Sequence, residues 1–131
     1  MKNYPAASKF MKTYLKLTEI LTDHKLASLG DAYVNFAYSL ALSNKKGQPS
    51  GAKLKGTALA EALKRAGFRS YLPSRMTSHM LADAAEALIV YAWLDDYITL
   101  EETVTALEKT DRLIDGLTQL LDKIKRRIKL S

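Results

Sequence analysis

Apolar residues recur at helical spacing along most of the chain, and no stretch alternates with the period of two that a half-buried strand requires. Phe10, Tyr14, Leu15, Leu17, Ile20 and Leu21 predict a first helix from about Ala6 to Thr22. Asp23 is placed to cap a second, longer helix from about His24 to Ser43, which is uncharged except for Lys25 and Asp31 and is therefore expected to be buried. Asn44-Lys45-Lys46-Gly47-Gln48-Pro49-Ser50-Gly51 combines Pro, Gly and charge and reads as a loop too short to separate domains. Thr57 can cap a short helix ending near Ala66, with Gly67 in the stop position and Pro73 marking a turn beyond it. An Ala-rich helix follows from Thr77 or Ser78 to Leu94, closed by Asp95-Asp96. Thr99-Leu100-Glu101-Glu102 is a capping-box start for a last helix whose apolar positions, from Val104 to Ile128, keep the period almost to the C-terminus. A break in it is expected at Gly116 or around Lys109-Thr110. The fold class that follows is all-α.

Composition narrows this picture. With 131 residues, 47% of them hydrophobic, the chain is expected to form one domain over residues 1–131, with a basic helical tail at 123–131. The absence of cysteine excludes a disulfide framework, Cys-ligated zinc and a Cys nucleophile, and the isolated His24 and His79 cannot build a His-rich metal site. Any metal would need oxygen ligands. Met1 to Pro5 lacks the layout of a secretory signal, and Leu26 to Ser43, the nearest thing to a membrane span, is too polar for hydrocarbon, so the expected compartment is the cytoplasm.

The net charge of +6 is segregated along the chain. Residues 44–75 carry eight Lys/Arg against Glu61 alone, residues 76–122 sum to −8, and residues 123–131 to +5. Basic segments of this kind suit a polyanionic partner, although solvated lysines alone would look similar.

Three acids stand where acids are unexpected. Asp31 lies mid-helix behind Gly30, and a helix-interior Gly costs ~1 kcal/mol relative to Ala. Lacking a side chain, Gly30 would let a neighbouring helix approach closely and press Asp31 inward. Asp83 and Glu86 sit at i, i+3 in a helix otherwise free of charge, where like charges repel. Taken singly, each helix is accounted for by a narrow solvated stripe. Together, acids on helices that are apolar or small nearly all round call for cations or pKa shifts. With Asp and Glu as the donors, the fitting cation is a hard one, Mg²⁺ or Mn²⁺, and such a site serves phosphodiester hydrolysis.

These residues resemble the ribonuclease III family. Leu29-Gly30-Asp31-Ala32 is similar to its first signature, and Asp83-Ala84-Ala85-Glu86-Ala87-Leu88-Ile89, followed by Tyr91-Ala92-Trp93-Leu94-Asp95, to its second. The similarity covers roughly residues 24 to 105. The resemblance implies an all-helical, Mg²⁺-dependent endoribonuclease (Mn²⁺ substituting) that acts as a homodimer on double-stranded or structured RNA, with Asp31, Asp83 and Glu86 as catalytic residues and metal ligands. Where most of the family has a Glu one turn before the first-signature Asp, this chain has Ala27, and where a Glu stands further upstream it has His24. The small Mini-III subgroup, which lacks the double-stranded-RNA-binding domain, is similar in having Leu-Ala before its Gly-Asp-Ala. A second function, RNA binding or assembly on the same scaffold with weakened catalysis, is motivated by Ala27.

The chain is expected to carry no separate RNA-binding domain, so substrate grip is expected from the nuclease domain. Candidate phosphate contacts are Lys45, Lys46, Lys53 and Lys55 in the middle segment and Lys123, Lys125, Arg126, Arg127 and Lys129 in the tail. Lys109 and Arg112, set among acids, are expected in intrahelical pairs. Tyr33, Phe36, Tyr38, Tyr91 and Trp93 are expected as core or dimer contacts, and His24 and His79 as capping or packing groups.

Overall fold

A computed structural model describes residues 9–130, and among these it contains six α-helices and no strand. The helices are α1 (Leu17–Leu21), α2 (His24–Lys46), α3 (Gly56–Arg65), α4 (Ser78–Leu94), α5 (Leu100–Glu108) and α6 (Leu113–Arg127), with a 3₁₀ turn at Arg69–Tyr71 before α4. Helix α4 is the centre. Its Ala84, Ala85, Ala87, Leu88, Ile89, Val90 and Ala92 are fully enclosed, and α1, α2, α3 and α6 all pack around it. Helix α5 bridges α2 and α6 on the outside of this arrangement. No helix among the described residues is long and apolar enough to cross a membrane.

Local signals set several boundaries as expected. The Thr77 side chain accepts from the Met80 N–H to start α4, and Thr99 and Glu102 form a reciprocal capping box at the start of α5. The Asp23 carboxylate accepts from the Leu26 N–H at 3.0 Å and from the Tyr14 hydroxyl at 2.6 Å. Burial opposes ionisation of Asp23, but these two hydrogen bonds, with Lys12 nearby, hold its carboxyl below the usual range.

The first helix is much shorter than its apolar spacing predicts. Ala6 to Ser8 lie outside the described residues, and residues 9–16 are not α-helical. One distant contact and one local cap override the apolar spacing: Tyr14 meets the edge of Tyr91 with ring centroids 5.6 Å apart, and the Glu19 carboxylate accepts from the N–H groups of Leu15 and Lys16, which starts the helix at Leu17. Helix α2 runs three residues past Ser43 and ends at Gly47, whose φ of 71° only a glycine adopts without strain. Lys45 and Lys46 therefore belong to its last turn, where they complement the helix dipole. Nor is α2 buried throughout: Leu29 and Phe36, 39% and 56% exposed, share an open face. Helix α3 begins at Gly56, with Thr57 inside it rather than at its cap. The last helical run breaks at residues 109–112, and Gly116 stays within α6 because a Cβ there would lie 2.4 Å from the Ala106 carbonyl oxygen of α5.

Candidate active site

The seam between α2 and α4 brings Asp31 and Glu86 together. Gly30 makes this contact: a Cβ on it would sit 2.1 Å from the Glu86 carbonyl oxygen and 3.0 Å from the Glu86 Cβ. Only a residue without a side chain lets the two backbones meet here, and the acids flanking the seam are consequently neighbours. Glu86 is 7% exposed, whereas the Asp31 side chain is about half exposed (47%) rather than pressed inward. Burial first, then a hydrogen bond with Asp31 and the charges of Asp31 and Asp83, push the Glu86 carboxyl up to about 8. Near neutral pH Glu86 keeps its proton within that hydrogen bond.

Asp83 lies one turn before Glu86 on α4, close enough to add to its field but turned toward His79, whose Nε2 is 3.7 Å from Asp83 Oδ2. Asp31 and Glu86 are thus in contact, with Asp83 beside them, and among the described residues no group of three His, Asp or Glu is arranged to enclose a cation. As a donor set the carboxyl oxygens match a hard cation, and such a cation would relieve the crowded negative charge. Ala27 is buried and borders, with His24 and Asp83, a cavity of about 60 Å³.

A second device is absent from the expectations above. Residues 50–54 run extended along α2, and their alternate N–H groups are received by its side chains. The Ser50 N–H donates to Ser43 Oγ at 2.9 Å, the Ala52 N–H to Ser39 Oγ at 2.9 Å and the Leu54 N–H to Asn35 Oδ1 at 2.7 Å. Four helical residues rise ~6.0 Å and two extended residues span ~6.6 Å, so the two repeats keep step over three rungs. Asn35 also donates from Nδ2 to Asp31 Oδ1 at 3.3 Å, which couples the ladder to the carboxylate. The ladder brings Lys53 Nζ to 4.0 Å from Asp31 Oδ2. The signal was present in the sequence as polar residues every fourth position, Asn35, Ser39 and Ser43.

The other basic candidates divide by partner. Lys45 donates to the Thr110 carbonyl and Lys46 to Ser50 Oγ. Lys123 and Arg127 both meet Glu102, at 3.7 and 2.9 Å, and Arg126 pairs with Asp122 one turn away. Lys125 donates to the carbonyls of Ala66 and Gly67 and lies over the Phe68 ring. Arg112 is the N-cap residue of α6, and neither it nor Lys109 takes the expected intrahelical acid partner among the described residues. Tyr33 stacks on Trp93 and shares a hydrogen bond with Thr103, as a core residue does.

No curated protein matches the chain significantly. The family model described as Ribonuclease III matches residues 24–129, a span from the start of α2 to just beyond α6 that contains both carboxylates and the ladder; the chain belongs to the ribonuclease III family, with the RNA-processing nuclease scaffold of that family.

Proposed function

We propose that this protein is a divalent-metal-dependent endoribonuclease that hydrolyses phosphodiester bonds in double-stranded or structured RNA. The observation that carries the reading is the Asp31–Glu86 pair, two carboxyl groups from separate helices held in contact by the Gly30 seam at the protein surface. Asp31, Asp83 and Glu86 would hold Mg²⁺ or Mn²⁺. When bound, such an ion supplies charge neutralisation at the phosphate and an activated water. The chain's own groups do the rest. Asn35 fixes the orientation of the Asp31 carboxylate, Glu86 releases its proton as the negative field around it is relieved, and Lys53 offers an ammonium group to a phosphate oxygen beside Asp31.

The reading includes a homodimer, supported by the exposed Leu29 and Phe36 two residues before and five after Asp31 on α2, an apolar face for a second copy. Double-stranded RNA incubated with Mg²⁺, Mn²⁺ or chelator tests the activity. Cleavage is expected with either ion, and its loss in chelator and in Asp31→Asn. Identical product patterns from wild type and variant would overturn the assignment. A second reading, an RNA-binding or assembly protein on the same scaffold, is favoured by Ala27 and by the lack of a three-acid group among the described residues. It predicts RNA binding that survives chelation, with no cleavage.

A further inference from the structure

Lys53 and Lys55 of the ladder segment line one wall of a groove of about 840 Å³. Lys53 and Lys55, two residues apart in extended chain, point from the same side of that strand and are both exposed. Across the groove stand Arg65 of α3 and Arg112 at the start of α6, with Tyr38 of α2 also lining it. The walls hold two carboxylates, Glu61 and Asp115, and Arg65 pairs with both, at 3.1 and 3.7 Å. Lys55 and Arg112 have no acidic partner among the described residues. The groove therefore carries surplus positive charge, with two of its cations uncommitted, and Lys53 joins it to Asp31 at 4.0 Å.

We infer that this groove is the track for the phosphate backbone of the RNA strand whose scissile phosphate lies at Asp31 and Glu86, with Lys55 and Arg112 as its main contacts. The inference rests on the nuclease reading for the position of the scissile phosphate, but not for binding itself. It separates Lys55 and Arg112 from Lys45, Lys123, Arg126 and Arg127, whose groups are turned to carbonyls or acids of the protein. It also gives Arg112, a helix-cap residue, a substrate role. The ladder accounts for why the site can be rigid although it lies on a connecting segment: rungs at Ser43, Ser39 and Asn35 hold the lysine-bearing strand before any RNA arrives.

Binding of a labelled double-stranded RNA, followed by anisotropy across a salt series in chelator, isolates this step from cleavage. The double variant Lys55→Gln/Arg112→Gln is expected to bind about tenfold more weakly or worse and to lower the slope of log affinity against log salt by about two. Lys9→Gln/Lys25→Gln removes the same charge at exposed positions outside the groove and is expected to leave the slope within about half a unit of wild type. Equal losses in both variants, an unchanged slope in the groove variant, or no RNA binding by wild type would each overturn the track. Wild type that binds through the groove but never cleaves would overturn the nuclease reading and leave the track standing. Wild type that cleaves in Mg²⁺ while the groove variant binds normally would do the reverse.

Discussion

Two glutamates, one in α4 and one in α5, show how the same side chain serves opposite ends. Glu102, in the α5–α6 layer, accepts from the Thr99 N–H as part of a cap and meets both Arg127 and Lys123. Burial opposes its ionisation, but the backbone hydrogen bond and the Arg127 guanidinium hold its carboxyl below the usual range. Glu86, on the α2–α4 seam, is buried with acids for neighbours and is pushed up to about 8. One carboxylate is satisfied by its fold, and the other is left short of positive charge. Groups whose environments oppose their charge concentrate at functional sites, and under the proposed function the contrast assigns chemistry to Glu86 and architecture to Glu102.

Exchanging each charge for an amide sharpens that contrast most. Glu86→Gln is expected to lower cleavage by ~10²-fold or more, in keeping with several kcal/mol of lost charge stabilisation in the transition state. Without divalent ion it should melt no lower than wild type, because the amide is neutral, as the protonated Glu86 is, and can still donate to Asp31. Glu102→Gln should do the opposite, losing ~1 kcal/mol of stability while retaining cleavage. Melting curves and initial rates on the same preparations check both, and parallel effects in the two variants would break the comparison.

The two close-approach glycines make a second pair. Gly30→Ala and Gly116→Ala each force a Cβ into a carbonyl of the facing helix, at 2.1 and 2.4 Å, and each is expected to cost ~1–3 kcal/mol or more. Only Gly30→Ala should also depress activity per folded molecule, since it alone wedges Asp31 from Glu86. Asn35→Ala is a smaller change. It leaves the Leu54 N–H without its rung and Asp31 without its orienting amide, for ~1–2 kcal/mol, read as faster hydrogen exchange at Leu54.

The pH dependence separates the glutamates by sign. The folded state keeps a proton on Glu86 between the ordinary range near 4.5 and about 8, so it binds more protons than the unfolded chain and its stability falls as pH rises through that window. The contribution of Glu102 is present above the ordinary range and is lost as pH falls through its depressed pKa. In metal-free melts between pH 5 and pH 8, wild type should therefore lose more stability than Glu86→Gln. Equal losses would count against the raised pKa.

How much of this could be read from the sequence depended on whether the cause was local. The starts of α4 and α5 were legible because Thr77 and Thr99 cap within three residues of themselves. The first helix was not, because Phe10, Tyr14, Leu17 and Leu21 keep helical spacing while Tyr14 is committed to Asp23 nine residues on and to Tyr91 far along the chain. Gly116 looked like a helix break and is instead a contact, a distinction that depends on Ala106 across the seam. At the site, the acids stood out against apolar helices and Gly30 announced the close approach. The ladder did not stand out, since the pairing of Asn35, Ser39 and Ser43 with Leu54, Ala52 and Ser50 is tertiary, and with it the position of Lys53 was lost. Arg112 was misjudged for a related reason: nearby acids in sequence do not become partners when the residue lies at a helix start.

The central claim, that Asp31 and Glu86 form a hard-cation site, is tested most directly by thermal melting under Mn²⁺ titration, without RNA. Wild type should gain stability with the logarithm of ion concentration, by ~2.7 kcal/mol at a hundred times the dissociation constant, while Asp31→Asn and Glu86→Gln stay flat. A wild-type melting temperature indifferent to Mn²⁺, or variants that respond as wild type does, would contradict the account.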